Sequence, residues 1–90
     1  ESINIQPKSE ISADEIRDLL GRSPGVKVMD QPDTLLFPTP RDAAGKDDVL
    51  VGRIRNDLSH PNGIELWCVG DNLRKGAALN AVQIAESLIA

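Results

Sequence analysis

Aromatic side chains are almost missing from this chain: Phe37 and Trp67 are the only two in 90 residues, and there is no tyrosine. Its interior must therefore be aliphatic. A single domain of this length buries roughly 60–65 per cent of its unfolded surface, so that interior is thin, and a covering partner would help to complete it. Cysteine is limited to Cys68, which excludes an internal disulfide and suits a reducing compartment. A cytoplasmic location is the expectation. Basic charge is in deficit, with 10 Lys and Arg against 14 Asp and Glu and a net charge of −4. Nucleic-acid binding normally needs a basic face, so no nucleic-acid partner is expected. No apolar run approaches the roughly 18–20 residues that cross a bilayer, so no membrane partner is expected either. The single histidine, His60, has no cysteine or carboxylate cluster around it, and no metal site is expected. The phosphate-cradling patterns GxGxxG and GxxxxGK[ST] are absent.

What is present reads as alternating strands and helices. Ile3 and Ile5 alternate with Ser2, Asn4 and Gln6, the period of a half-buried strand. Ser12 and Glu15 have the spacing of a capping box, and Ile11 can staple onto Ile16. Ile16, Leu19 and Leu20 then share a helical face that Gly21 and Pro24-Gly25 terminate. Val26, Val28 and Met29 form a short strand. Leu35-Leu36-Phe37, bounded by Pro38-Thr39-Pro40, is restricted to a short or edge strand and then an extended loop. The charged stretch 41–48 reads as surface loop. Residues 49–55 form a strand whose strict alternation puts Leu50, Gly52 and Ile54 on one face and Val49, Val51, Arg53 and Arg55 on the other. Pro61-Asn62-Gly63 turns the chain into 64–69, which gives an antiparallel hairpin with a long loop.

The last segment is the most informative. Leu73, Ala77, Val82, Ile84, Ala85, Leu88 and Ile89 lay out a broad apolar stripe, which predicts a helix over about 72–89. Asp71 and Asn72 are good capping residues. Arg74 and Lys75 follow at once, where the positive end of a helix disfavours cations. A helix start with two misplaced cations, an amide at Asn72 and a small Gly76-Ala77-Ala78 face suggests that a ligand docks there. The fold class expected is α+β: an antiparallel or mixed sheet with helices packed on one face.

Other candidate chemistry is sparse. Cys68 sits mid-strand, where neither access nor a lowered pKa is available to a nucleophile. Arg53 and Arg55 could hold an anion, but a solvated edge or a subunit interface is the simpler reading. No complete catalytic constellation lies within these 90 residues.

The segments Asn62-Gly63-Ile64-Glu65-Leu66-Trp67 and Gly70 through Glu86 closely resemble the C-terminus of aspartate-semialdehyde dehydrogenases. The resemblance extends upstream through Pro38 to Val49 and Val51-Gly52-Arg53-Ile54-Arg55. It implies part of a substrate and dimerisation domain similar to that of glyceraldehyde-3-phosphate dehydrogenase-like enzymes, with the nucleotide-binding domain elsewhere. The implied reaction is NADPH-dependent reduction of aspartyl 4-phosphate to aspartate 4-semialdehyde with release of phosphate, serving lysine, methionine, threonine and diaminopimelate synthesis. Implied partners are the remainder of the same enzyme, the small-molecule substrate, and further copies in a homodimer or homotetramer. The family's nucleophilic cysteine belongs to an earlier region, and Cys68 does not inherit its role. Its acid/base histidine lies in a Gly-His-Ser-Glu segment that Glu1-Ser2-Ile3-Asn4-Ile5 continues, which places it just before residue 1. His60 does not match it. The family's substrate-binding arginine also lies upstream, so neither Arg53 nor Arg55 takes its place. One functional position carries over: Asn72 corresponds to the residue that contacts NADP near the nicotinamide. The alternative reading is a free-standing α+β module that senses an amino acid or binds a protein.

Overall fold

The computed structural model describes residues 1–89. Its centre is a four-stranded mixed sheet, in agreement with the α+β expectation, and the sheet is assembled around the hairpin. Strands β1 (Ser2–Ile5), β2 (Val26–Val28), β3 (Val49–Asn56) and β4 (Ile64–Val69) lie in the order β1-β4-β3-β2. The β3–β4 and β1–β4 pairs are antiparallel, and β2 joins β3 in parallel. The parallel edge requires a long crossover, and residues 29–48 supply it.

Helix α1 (Ala13–Gly21) covers one face of the sheet. Ser12 caps it as its spacing predicts, the Oγ accepting the Glu15 N–H at 3.1 Å. Ile16 is buried among Val51, Ile54, Ile64 and Leu66, with Ile3, Ile5, Ile11 and Leu20 packed around them. The hydrophobic effect rewards this directly, at about 1.5–3 kcal/mol for each fully buried Ile, Leu or Val.

The faces of β3 differ from strict alternation. Val51 and Ile54, not Gly52 and Ile54, share the α1 side, because the register with β4 shifts between Gly52 and Arg55. Arg53 absorbs the extra residue at φ 52°, and the strand flips its phase there. Asp30 holds this bulge. Its carboxylate is almost wholly buried; it accepts the backbone N–H of Arg53 at 2.9 Å and of Ile54 at 3.2 Å. Arg17 on α1 completes the clamp, donating to Asp30 at 2.9 Å and to the Ile54 carbonyl at 2.8 Å.

The opposite face carries a smaller cluster: Ala43, Leu50 and Val69, with Trp67 beside them. Here the reading of 38–40 as extended loop and 41–48 as surface loop is corrected over 40–43. Pro40–Ala43 forms a helical turn, α2, and Ala43 is completely buried. The Asp42 carboxylate accepts the Thr39 N–H and hydroxyl at 2.7 and 2.8 Å. Pro38 is also fully buried and crosses Gly52, where an added Cβ would lie 2.5 Å from both the Met29 carbonyl oxygen and Pro38 Cδ. Only glycine permits that crossing. Leu36 makes one isolated bridge to Gln31, so 35–37 is a turn rather than a strand.

The largest departure is at the end of the chain. Regular helix α3 runs from Leu79 to Ile89, not from residue 72. Between them Lys75 (φ −79°, ψ 127°), Gly76 (φ 86°, ψ 0°) and Ala77 (φ −138°, ψ −128°) leave helical space. Gly76 supplies the left-handed backbone that breaks the run. No residue of α3 is buried within this chain.

Candidate functional site

The break at 75–77 removes the anomaly that the sequence posed. Arg74 and Lys75 do not sit at a helix start, so the local rule on charge is not broken. Arg74 instead pairs with Asp47 at 2.6 Å, and the Lys75 Nζ donates to Gln83 Oε1 at 2.7 Å. Asn72 lies in a turn well ahead of α3, and the docking argument from a helix N-terminus falls away. What remains is the geometry of the turn itself.

Asp71 builds that turn. Its Oδ1 accepts the Leu73 N–H at 2.9 Å, and its carbonyl accepts the N–H groups of Arg74 and Lys75 at 2.9 and 2.8 Å. Its Oδ2 reaches across to the Gly45 N–H at 2.8 Å, which ties the turn to the loop after α2. These backbone donors, Gly45 first and Leu73 second, hold the Asp71 carboxyl below the usual carboxylate range, with a smaller contribution from Arg74. Asn72 is the residue that this clamp leaves projecting. It is exposed, and its carboxamide makes no hydrogen bond among the described residues.

Asn72 borders an open hollow of about 510 Å³ at the end of the β3–β4 hairpin. Glu1, Trp67, Cys68, Lys75 and Asn80 line it as well. Trp67 is fixed there, its indole N–H donating to the Pro38 carbonyl at 2.8 Å. The sheet pairing runs on to Glu1, whose carbonyl accepts the Cys68 N–H at 2.8 Å. Glu1 and the 72–80 segment thus border the same hollow. Cys68 is partly buried, and desolvation pushes its thiol pKa up, the opposite of what a nucleophile needs.

The remaining candidates lie elsewhere. His60 sits in the β3–β4 loop, its Nδ1 accepting the Asn62 N–H at 3.1 Å. No group of three potential metal ligands occurs among the described residues. Arg55 pairs with Glu65 at 3.2 Å, and the Arg53 guanidinium lies over the Phe37 ring at 5.7 Å. Neither arginine borders the hollow beside Asn72. Sequence reasoning missed the clamp role of Asp71. The signal was available: an Asp two residues before a backbone N–H is the pattern of an Asx-turn.

The family model for the semialdehyde dehydrogenase dimerisation domain matches residues 1–75. Aspartate-semialdehyde dehydrogenase from Synechocystis sp. is 51% identical over 89 residues, covering 99% of this chain and 26% of that protein. The corresponding protein from Legionella pneumophila is 53% identical over 98% of this chain and 26% of its own length. Among solved structures, aspartate semialdehyde dehydrogenase II from Vibrio cholerae, complexed with ASA, superposes with a TM-score of 0.86 at 50% identity. That match covers 98% of this chain and 26% of the other. The chain therefore spans about a quarter of the length of these relatives.

Proposed function

Because the chain belongs to the semialdehyde dehydrogenase family, through its dimerisation domain, we propose that it works within an NADP-dependent aspartate-semialdehyde dehydrogenase. The reaction is reduction of aspartyl 4-phosphate to aspartate 4-semialdehyde with release of phosphate. It feeds lysine, methionine, threonine and diaminopimelate synthesis in the cytoplasm. The partners are the remainder of the same enzyme and further copies in a homodimer or homotetramer. The observation that carries this reading is the meeting of Glu1 and Asn72 at one hollow. By the resemblance, the acid/base histidine falls next to Glu1 and the cofactor contact falls at Asn72. A hydride donor must reach the carbonyl carbon and a proton-transferring group the heteroatoms attached to it, so the two belong together.

The residues present fit such a cofactor. A primary carboxamide offers one acceptor and two donors, and nicotinamide carries the complementary set on its own amide. Bound NADPH would supply the hydride. The work of this chain is to orient: Asp71 fixes the turn, Gly45 anchors it to α2, and Asn72 presents its amide. Trp67 and Pro40 help to wall the hollow. The 90-residue chain lacks the nucleophile and the acid/base, so by itself it is catalytically silent.

Substitution Asn72→Ala in the full-length enzyme should raise the KM for NADPH about 10-fold, the loss of one good hydrogen bond. The KM for the aspartyl substrate should hardly move. Unchanged NADPH affinity and turnover would remove Asn72 from the site. The free-standing sensing module finds no comparable support, since the relatives match along 98–99% of the chain as one piece of a larger enzyme.

A further inference from the structure

The segment that leads into α3 is an interrupted helix. Asp71 caps a first turn: its carbonyl accepts the Lys75 N–H four residues on at 2.8 Å, the bond of an α-helix, and Leu73 has helical backbone (φ −76°, ψ −14°). Helical backbone returns at Leu79 (φ −63°, ψ −40°) and runs to Ile89. Between Leu73 and Leu79 only Lys75, Gly76 and Ala77 leave helical space. The Leu79 N–H donates to the Arg74 carbonyl across the break, a step of five residues where a straight helix takes four. We propose that 75–77 is a latched joint with two states, the bent one described above and a straight one in which 72–89 is a single helix. Closing the joint reshapes the hollow beside Asn72, because Lys75, Gly76 and Asn80 are part of its wall.

Three observations carry it. First, the sequence is phased for the straight state. Leu73, Ala77, Ile84 and Leu88 follow one another at four, seven and four residues, which puts them on one face only if the helix between them is unbroken. Second, packing does not wedge the bend open. Gly76 is exposed, and a Cβ added there would meet nothing within 4 Å. Its left-handed backbone (φ 86°) is open to glycine at no steric cost. Third, a side-chain latch belongs to the bent state. The half-buried Lys75 donates its Nζ–H to Oε1 of the half-buried Gln83 at 2.7 Å. These two residues are eight apart in sequence, so a straight helix would set them about 12 Å apart along its axis and about 80° apart around it. Straightening therefore breaks the latch. The two states are closely opposed: the straight helix gains backbone hydrogen bonds but puts glycine in a helix interior, where it is disfavoured. The bent state keeps the latch and lets glycine use the conformation it tolerates best among the residues.

The test is NMR on the 90-residue chain, with Cα chemical shifts reporting the backbone residue by residue. The parent should show helical shifts over 79–89 and non-helical shifts at 75–77. Gly76→Ala penalises the left-handed backbone and favours the helix. It should move the joint about 10-fold or more toward the straight state, seen as helical shifts at Lys75 and Ala77. Gln83→Ala removes only the latch and should move it about 5-fold the same way. Gln83→Glu turns the latch into an ion pair and should move it the other way. Trp67 borders the hollow and should change its fluorescence emission in Gly76→Ala. A Gly76→Ala chain still non-helical over 75–77, or a parent already helical there, would overturn the joint. Gln83 variants without effect would overturn the latch, and a straightened joint with unchanged Trp67 emission would overturn its hold on the hollow. The Gln83 pair keeps the test valid should Gly76→Ala fail to fold. No nucleotide enters these measurements, so their failure leaves the dehydrogenase reading standing.

Discussion

The β3–β4 hairpin and the C-terminal arm from Leu73 to Ile89 contain apolar residues in similar measure, yet they end in opposite states. In the hairpin Leu50, Val51, Ile54, Ile64, Leu66 and Val69 are all buried. In the arm Leu73 is 82% exposed, Leu88 80% and Ile89 86%. Periodicity is equally clear in both. The difference is that the hairpin finds partners on both faces within these 90 residues, α1 on one and the 38–43 segment on the other, whereas α3 meets little beyond the turn that leads into it. An amphipathic pattern states that a face will be covered; it does not say by which part of the protein.

The sharpest way to break the comparison is inside the hairpin. Ile64→Ala should destabilise the chain by about 2–5 kcal/mol, the usual cost of emptying a packed aliphatic site, read by urea unfolding on Trp67 fluorescence. The next largest effect falls on the bulge. Asp30→Ala leaves two backbone N–H groups and the Arg17 Nε–H without their acceptor, and should cost about 2–3 kcal/mol. A loss below about 1 kcal/mol would mean that the bulge is held by the sheet alone. In the arm, Leu88→Ala should change the stability of the 90-residue chain by less than about 0.5 kcal/mol, as at an exposed site. In the full-length enzyme the same substitution should cost clearly more. Equal effects in both would mean that α3 stays uncovered there as well. Amide hydrogen exchange over 79–89 should likewise be fast in the short chain and slowed in the long one.

The smallest effect is on pH. Asp42, Asp57 and Asp71 all have carboxyl pKa values held below the ordinary 3.8, each chiefly by a backbone N–H donor. Between the folded and the ordinary value the unfolded chain binds more protons, so acid favours unfolding there. Their stabilisation is therefore complete above the ordinary carboxylate pKa and is lost as pH falls through the lowered one. Asp71→Asn should flatten this acid limb slightly, and stability near pH 7 should change little more than the loss of one exposed turn contact. A steepened acid limb would contradict the clamp at Gly45.

Much of the fold was legible beforehand. Ser12 and Glu15 announced α1, Pro61-Asn62-Gly63 announced the hairpin, and alternation announced β1. These are local signals, each resolved within one turn or a few residues. The errors came where a distant residue intervened. Strict alternation in β3 failed because Asp30 stabilises a bulge that adjacent residues do not encode. The 40–43 turn has a local signal, the capping-box spacing of Thr39 and Asp42 with Pro40 between them, but charge and proline in the same stretch equally suit a loop. The expected 72–89 helix shortens to 79–89 because Gly76, which in an apolar stripe also suits a small contact face, is a break in the backbone. The candidate site fared similarly. The sequence neighbours of Asn72 point to a helix N-terminus, whereas the folded chain presents it on an Asx-type turn built by Asp71.

Composition, capping, turn residues and periodicity by themselves determined that this chain makes an acidic α+β domain around an aliphatic hairpin, and which residues seek cover. The residue segments 38–55, 62–67 and 70–86 carried the resemblance to aspartate-semialdehyde dehydrogenases. Only the tertiary structure decided which faces found that cover, where β3 changes phase, and that Glu1 and Asn72 border one hollow. The physical reason is range. Backbone propensity and periodicity act over a few residues along the chain, whereas burial and buried hydrogen bonds such as those of Asp30 are settled by what the folded chain brings alongside.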